Sequence, residues 1–183
     1  KYQDTFNTIT KVDGLYGVDI SSIGKDNYHN IWIGGNSPNG FIQIYNFQKG
    51  SVEVFDYGLT NITEFWISDS LAFASFVDGQ DVGLIKFIYD NGAWSYRDIY
   101  RNFSSPIQSI FGFDILQNKE STKIFLGTDI GLLVADYASN LKDPDNWNSE
   151  FCCFNNGAIK AMCKYQDGIA FIYEGNPTSV HFI

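Results

Sequence analysis

Cysteine, histidine and proline are scarce in this sequence, and two of these scarcities argue against metal-binding and disulfide-stabilised folds. The 183 residues include three cysteines, two histidines and four prolines. The cysteines form no C-x-x-C pair, and the histidines are far apart in the chain, so neither a zinc site nor a disulfide framework is indicated. We interpret His29 and His181 as structural or surface residues. Cys152, Cys153 and Cys163 are predicted to be small buried thiols.

Several motifs that would signal chemistry are also missing. The sequence has no G-x-S-x-G, no G-x-G-x-x-G and no P-loop, which removes the usual signals for a serine nucleophile and for nucleotide binding. The stretch from Asp78 to Asp81 carries two carboxylates but lacks the full calcium-loop pattern. No apolar run approaches the roughly 20 residues of a membrane helix. We therefore predict no catalytic residue, no cofactor, no metal and no membrane insertion.

Basic residues are outnumbered by acidic ones. Twelve Lys and Arg stand against 21 Asp and Glu, which gives a formal net charge of -9. Such a charge repels phosphate backbones and anionic lipid surfaces. Nucleic-acid binding is therefore not expected.

Aromatic residues, in contrast, are abundant. They make up 17% of the chain, within a total of 44% hydrophobic residues. Aromatic and β-branched side chains favour the half-buried surface of a pleated sheet. The length suits one domain with a sizeable core, so a single all-β domain over 1–183 is predicted.

One pattern occurs twice and organises the sequence. An apolar run, a glycine, a polar turn, a second glycine and another apolar run occupy 31–45 and recur at 124–136. The apolar centres Ile31, Leu71, Ile124 and Ile169 are 40, 53 and 45 residues apart. Blades of a β-propeller take about 40 to 50 residues each. The sequence therefore predicts a β-propeller with about four blades of four-stranded antiparallel sheet.

Each predicted blade has a middle strand that is apolar on successive residues, as expected for a strand covered on both faces. Outer strands alternate instead, as in Val52, Glu53 and Val54, which indicates one solvated face. The blades are placed at roughly 14–57, 58–103, 104–155 and 156–183. The predicted strands are 17–23, 30–34, 41–46, 51–57, 62–67, 71–76, 83–89, 94–100, 107–116, 123–127, 131–136, 150–154, 158–164, 168–173 and 179–183.

The two ends of the chain leave the blade count open. Residues 5–11, within an N-terminal stretch of 1–13, are predicted to form an outer strand without preceding partners, and 179–183 a third strand without a fourth. Either the first strand closes the last blade of a four-bladed ring, or the chain is a section of a larger propeller. The section is the preferred interpretation, with remaining blades in the same polypeptide.

The repeated pattern carries a family resemblance. With Gly34, Gly40 and Tyr45 in one unit, and Gly127 and Asp136 in another, the chain resembles the propeller repeats in periplasmic sensor regions of two-component regulators. It is also similar to the N-terminal propeller of PorZ-type proteins associated with type IX secretion. Two of the four units match well; the second has Ala74 in place of glycine. The resemblance implies an exported protein, periplasmic or on the cell surface, without catalysis of its own.

Blade topology predicts one shared face for several charged and aromatic residues. Turns after second strands and links after fourth strands lie at the same end of every blade, where an acidic surface with aromatics could hold a cation or a basic peptide. The alternative is ordinary surface charge that serves solubility. Trp147, in the long loop 138–147, is the tryptophan predicted to stack on a ligand. The predicted face contains Asp78, Asp81, Asp129, Glu174, Tyr16, Tyr57 and Arg101.

Three functions fit these observations. The first is a noncatalytic propeller module that binds a protein or glycan partner in an exported bacterial protein. The second is a structural propeller of a phage tail or another assembly. The third is a lyase or hydrolase built on a propeller scaffold, which would require convergent carboxylates or histidines.

Overall fold

A computed structural model describes residues 8–118, 121–149 and 157–183, and its regular structure there is almost entirely β. Its strands form four separate antiparallel sheets. The first sheet contains β1 (Ile20–Lys25), β2 (Asn30–Gly35), β3 (Gly40–Asn46) and β4 (Gly50–Leu59). The second contains β5 (Asn61–Ile67), β6 (Leu71–Asp78), β7 (Asp81–Asp90) and β8 (Ala93–Tyr100). The third contains β9 (Ile110–Gln117), β10 (Thr122–Thr128) and β11 (Gly131–Asp136), and the fourth β12 (Ile159–Tyr165), β13 (Gly168–Tyr173) and β14 (Asn176–Phe182).

Every sheet is a meander in which consecutive strands pair. The second strands of the first three sheets are buried on both faces, which explains their unbroken apolar sequences. In β2, Trp32 packs in the cluster shared with the second sheet, while Ile33 packs on the opposite side with Phe41 and Tyr45. The predicted doubly covered middle strands are confirmed in these three sheets, while β13 of the fourth sheet has one covered face among the described residues.

The four sheets pack face to face in the order in which they occur in the chain. The first strands of neighbouring sheets contact each other, β1 with β5, β5 with β9 and β9 with β12. Separate apolar clusters fill the spaces between consecutive sheets. This arrangement is that of a β-propeller section, and the described residues do not form a closed ring. The predicted all-β, propeller-like architecture is confirmed to that extent.

Side chains on the first strands link each sheet to the next. Ser21 donates its hydroxyl to the carbonyl oxygen of Ile62 at 2.5 Å. Glu64 accepts the backbone N–H of Phe113 at 3.1 Å. Asp114, next to Phe113, accepts the N–H of Lys164 at 2.7 Å. Each polar side chain thus satisfies a backbone group of the following sheet that its own ladder leaves unpaired.

Some predicted elements differ in the structure. Residues 8–10 are not in a strand, and Lys11–Asp13 form a single 3-10 turn that Gly14 ends with a positive φ of 97°, so the predicted N-terminal strand is not seen in its described part; residues 5–7 lie outside the described residues. The predicted outer strand 150–154 also lies outside them. The long loop 138–147 contains a 3-10 turn at Pro144–Asn146.

Cys163 corrects the prediction of buried thiols, because it is a free and exposed cysteine. It lies on the fourth-sheet surface that no other described residue covers. Cys152 and Cys153 lie outside the described residues. In the described part of the chain, no helix has the length and apolar character needed to cross a membrane.

Candidate functional site

The loop face is the end of the sheets at which β2, β6, β10 and β13 finish and the links after β4 and β8 run. Antiparallel pairing places these turns and links together, because alternate strands reverse direction. The register confirms this placement within the sheets, since Gly40 lies opposite Leu59 and Asp78 opposite Asp81. Most of the predicted site residues lie at this end.

Asp78, Asp81 and Arg101 meet at one cleft of the loop face. Its volume is about 360 Å³. Arg101 Nη1 lies 2.8 Å from Asp78 Oδ2, and both side chains are about one-third exposed. The guanidinium also covers the ring of Phe76 at 4.8 Å, a contact that favours a planar cation. The cleft is lined by Asp81, Val82, Arg101, Asn102, Phe103, Ser104, Ser105, Pro106, Ile107 and Pro144.

The link between β8 and β9, residues 101–109, forms one wall of this cleft and is fixed by Asp129. The Asp129 carboxylate accepts the N–H groups of Gln108 and Ser109 at 2.9 and 3.0 Å. In return, the N–H of Asp129 donates to the carbonyl of Ser109 at 3.3 Å. Asp129 therefore positions the cleft wall through backbone contacts.

The remaining predicted residues have partners within other sheets. Glu174 pairs with Lys160 at 3.0 Å, and this contact lowers the pKa of the Glu174 carboxyl. Tyr16 donates its hydroxyl to Asp56 at 2.8 Å, which raises the pKa of the phenol. The predicted single acidic surface is thus divided among local pairs in the first, second and fourth sheets.

Tyr57 lies on the outer strand β4 and is 40% exposed. Its ring is 5.1 Å from that of Tyr96 on β8, so the two phenols join the outer strands of the first two sheets. Partial burial raises the pKa of Tyr57, with smaller contributions from Tyr96 and Glu53. Tyr57 belongs to this aromatic contact between sheets and does not line the cleft.

Trp147 is a core side chain, in contrast to the predicted role in stacking on a ligand. Its exposed fraction is 0%. The indole N–H donates to the carbonyl of Leu141 at 3.0 Å, and the ring meets Phe103 edge to face at 5.0 Å. Since Phe103 also lines the cleft, Trp147 supports the cleft from beneath.

A second concavity opens at the opposite end of the first two sheets, with a volume of about 410 Å³. Tyr28 stacks on Tyr89 there, with ring centroids 3.7 Å apart. The amides around it are already used within the protein: Asn46 donates to the carbonyl of His29 at 3.2 Å, and Asn30 donates to Asp26 at 2.8 Å. These polar contacts hold turns in place, and we assign no ligand to this concavity.

Asp26 is the buried charge that sequence reasoning missed, with 7% exposure. Burial opposes its ionisation, but hydrogen bonds from Asn30, Trp94 and Tyr28 outweigh that effect, and the pKa of Asp26 lies below its ordinary value. The signal available in the sequence was the polar turn that follows β1, in which a short acidic side chain caps backbone N–H groups. In the described residues, no three His, Cys, Asp or Glu side chains are grouped as metal ligands.

Comparison with known proteins supports the fold. The sequence matches no protein-family model, and it matches no curated protein. Among solved structures, the chain is similar to PorZ, described as an essential bacterial surface component of the type-IX secretion system of Porphyromonas gingivalis, with a TM-score of 0.61 and 15% identity over 90% of this chain. It is similar to the extracellular domain of a hybrid two component system from B. thetaiotaomicron, with a TM-score of 0.61 and 18% identity over 97% of this chain.

The match extends over only part of these two proteins. The chain covers 25% of the PorZ chain and 23% of the sensor domain. At these identities the likeness concerns architecture and not ligand or activity. The similarity to both proteins that the repeats indicated is confirmed, and the chain has the fold of a propeller-type domain found in bacterial surface and extracellular proteins.

Proposed function

We propose that this chain is a section of a larger β-propeller that acts as a noncatalytic binding module, with the loop-face cleft as its site for a protein or glycan partner. The cleft is the observation that carries the proposal. Its volume of about 360 Å³ falls in the range of ligand pockets. An Arg, an Asp, one side-chain amide, two hydroxyls and an aromatic ring converge on it, which is the mixture that polar partners require.

The charges of the loop face also support binding over catalysis. Asp78 neutralises Arg101, and Asp129 holds backbone N–H groups. Carboxylates used in this way shape a surface and do not form the close, free pair of a hydrolase. Recognition by shape and hydrogen bonding remains available to Ser104, Asn102 and Asp81.

The setting is proposed from the two structural likenesses. A surface component of a secretion system and an extracellular sensor domain share this fold. We propose a periplasmic or cell-surface location in a bacterium for this chain as well. The partner is then a protein or glycan of the cell envelope.

The experiment compares two substitutions at opposite ends of one strand. Asp81 and Asp90 are the first and last residues of β7, and both are exposed. A photoreactive residue at position 81, used in native bacterial envelopes, is expected to cross-link a partner that the same residue at position 90 does not. Binding of that partner, purified, is then measured for Asp81→Lys and for Asp90→Lys.

Both lysine variants change the net charge equally, so nonspecific electrostatics affect them alike. We expect Asp81→Lys to weaken binding by about tenfold or more, as loss of one good polar contact does, while Asp90→Lys binds as the unmodified protein does. Glycan binding is measured by titrating purified envelope polysaccharides into the unmodified protein, Asp81→Lys and Asp90→Lys. Equal cross-linking at positions 81 and 90 without polysaccharide binding, or equal loss of binding in both variants, would show the proposal to be wrong.

A further inference from the structure

The third strand of each sheet carries an apolar residue at an equivalent position that faces the following sheet. In the first three sheets these residues are Ile42, Leu84 and Leu132, with exposed fractions of 0%, 0% and 4%. Each pairs with β2, β6 or β10 at the matching place in the ladder, opposite Gly34, Ser75 and Gly127. In the fourth sheet the equivalent residue is Val180, opposite Ile172, and Val180 is 55% exposed.

The exposed surface around Val180 is mainly apolar. Phe182, two residues further along β14, is 63% exposed, and Tyr165 beside it is 54% exposed. Their rings lie 5.5 Å apart. A shallow cavity of about 200 Å³ lies between β12, β13 and β14 on this face. Monomeric proteins seldom leave an apolar surface of this kind exposed to solvent.

Within the described residues, the outer edge of the fourth sheet is also open. The first and second sheets have four strands, whereas β14 pairs with β13 alone among the described residues. The outer strands β4 and β8 carry charges, such as Glu53 and Arg97, that protect an exposed edge. The sequence of β14, from Asn176 to Phe182, has no Asp, Glu, Lys or Arg, so its edge lacks this protection.

The order of the covered faces identifies the occupant. The face of the first sheet is covered by the second, that of the second by the third, and that of the third by the fourth, always by the sheet that follows in the chain. We infer that the fourth sheet continues this series: a fourth antiparallel strand pairs with β14, and a further sheet of the same polypeptide packs on Val180 and Phe182. This inference deepens the proposed propeller section and is independent of binding at the loop face.

Cys163 provides a probe of the face, because it is exposed on β12 and lines the cavity beside Val180. Its labelling by a bulky maleimide is measured with Cys152→Ser and Cys153→Ser in place, in the 183-residue chain and in the polypeptide that the gene encodes. We expect labelling about 100-fold slower in the encoded polypeptide, since a packed interface must open before the thiol reacts. Amide hydrogen exchange in β14 is expected to slow similarly.

A matched design tests the edge directly. A copy of residues 47–57, the turn and strand that complete the first sheet, is appended after Ile183, and a control carries proline in place of the copied Val52 and Val54. The appended strand is expected to slow exchange of alternate β14 amides by about tenfold or more, and the proline control to leave it unchanged.

Three results would overturn the inference. The first is an encoded polypeptide that ends at Ile183. The second is Cys163 labelling and β14 amide exchange that are equally fast in the encoded polypeptide and in the 183-residue chain. The third is self-association of the 183-residue chain that already protects Cys163 from labelling and the β14 amides from exchange. The last result would assign the face to a second copy. Each is read without reference to the Asp81→Lys binding result, so a failed binding site and a wrong interface are distinguished.

Discussion

Trp94 of the second sheet donates its indole N–H to the carboxylate of Asp26, in the turn after β1 of the first sheet, at 2.8 Å. The same carboxylate accepts the indole N–H of Trp32 at 3.3 Å and the backbone N–H groups of Tyr28 and Asn30, each at 2.9 Å. One buried charge therefore fixes the turn after β1 and joins two sheets. Removing it affects the interface and the turn at once.

Asp26→Asn is predicted to destabilise the protein by about 1 to 3 kcal/mol. The substitution removes the negative charge and replaces one carboxylate oxygen with an amide nitrogen, which cannot accept the hydrogen bonds that this oxygen now accepts. Urea unfolding followed by tryptophan fluorescence measures the change. Asp167→Asn, in the exposed turn before β13, is the control and should unfold at the wild-type midpoint. Equal midpoints for both variants would contradict the assigned role of Asp26.

The pH dependence of stability should report the same carboxylate. The pKa of Asp26 is lowered from 3.8 in the folded state, so its stabilising effect is complete above that value and is lost as the pH falls through the lower folded value. We therefore expect the stability gap between the wild type and Asp26→Asn to be constant at neutral pH and to narrow below about pH 4. A gap independent of pH down to pH 2 would show that the charge does not contribute.

Glu64 is predicted to behave in the opposite sense. Its burial, and to a smaller extent the charge of Asp114, raise its pKa, although the N–H of Phe113 favours the ionised form. A raised folded pKa means that ionised Glu64 destabilises the fold at neutral pH, and that this penalty disappears as the pH falls to the unfolded value. Glu64→Gln keeps an acceptor for Phe113 and should raise the urea midpoint at pH 7 but not at pH 4.

The control for Glu64 is Glu174→Gln, because the Lys160 ion pair lowers the pKa of Glu174. Loss of that exposed pair should give no gain in stability at pH 7. If Glu64→Gln lowers the midpoint at pH 7, the carboxylate stabilises the contact between the second and third sheets more than burial opposes it.

The core role of Trp147 predicts a large loss on truncation. Trp147→Ala should destabilise the protein by about 3 to 5 kcal/mol, because it empties a fully buried site. Trp147→Phe retains a ring against Phe103 but leaves the carbonyl of Leu141 without its donor, so a smaller loss of about 1 to 3 kcal/mol is expected. Thermal unfolding of both variants measures the two losses. An unchanged melting temperature in Trp147→Ala would return this residue to the candidate ligand-binding set.

Strand positions were predictable where burial determines sequence locally. The run from Ile31 to Gly34 lies between two packed faces, and its unbroken apolar character identified β2 almost residue for residue. The start of β9 was predicted too early, at Ile107, because Asp129 takes the N–H groups of Gln108 and Ser109 away from the ladder. The Asp129 side chain, about twenty residues away in the sequence, therefore delays the start of β9 to Ile110. Hydrophobic periodicity gives no indication of such a distant contact.

Proline misled the prediction at β14, which begins at Asn176 and not at Ser179. The strand includes Pro177, because proline is tolerated near the start of a strand. The Asp26 network was inaccessible to sequence reasoning for another reason: its partner Trp94 is 68 residues away. Residue types and turns could place the loop face, but which charges would neutralise one another there depended on the packing of whole sheets.

The first two sheets approach each other too closely at Gly34 to leave room for a side chain there. A Cβ on Gly34 would lie 2.2 Å from Ser22 Oγ and 2.7 Å from Ile62 Cγ2, so Gly34→Ala must push β2 away from the second sheet. A loss of about 1 to 3 kcal/mol is expected from such overpacking.

Gly112→Ala is the matched control, because the nearest atom to its added Cβ is Met162 Cγ at 3.0 Å, and a flexible methionine can move aside. Denaturant unfolding should therefore show a clear loss for Gly34→Ala and a small change for Gly112→Ala. Equal losses would mean that the two sheets separate without cost at Gly34, and that the hydrogen bond from Ser21 to Ile62, rather than close packing, sets their spacing.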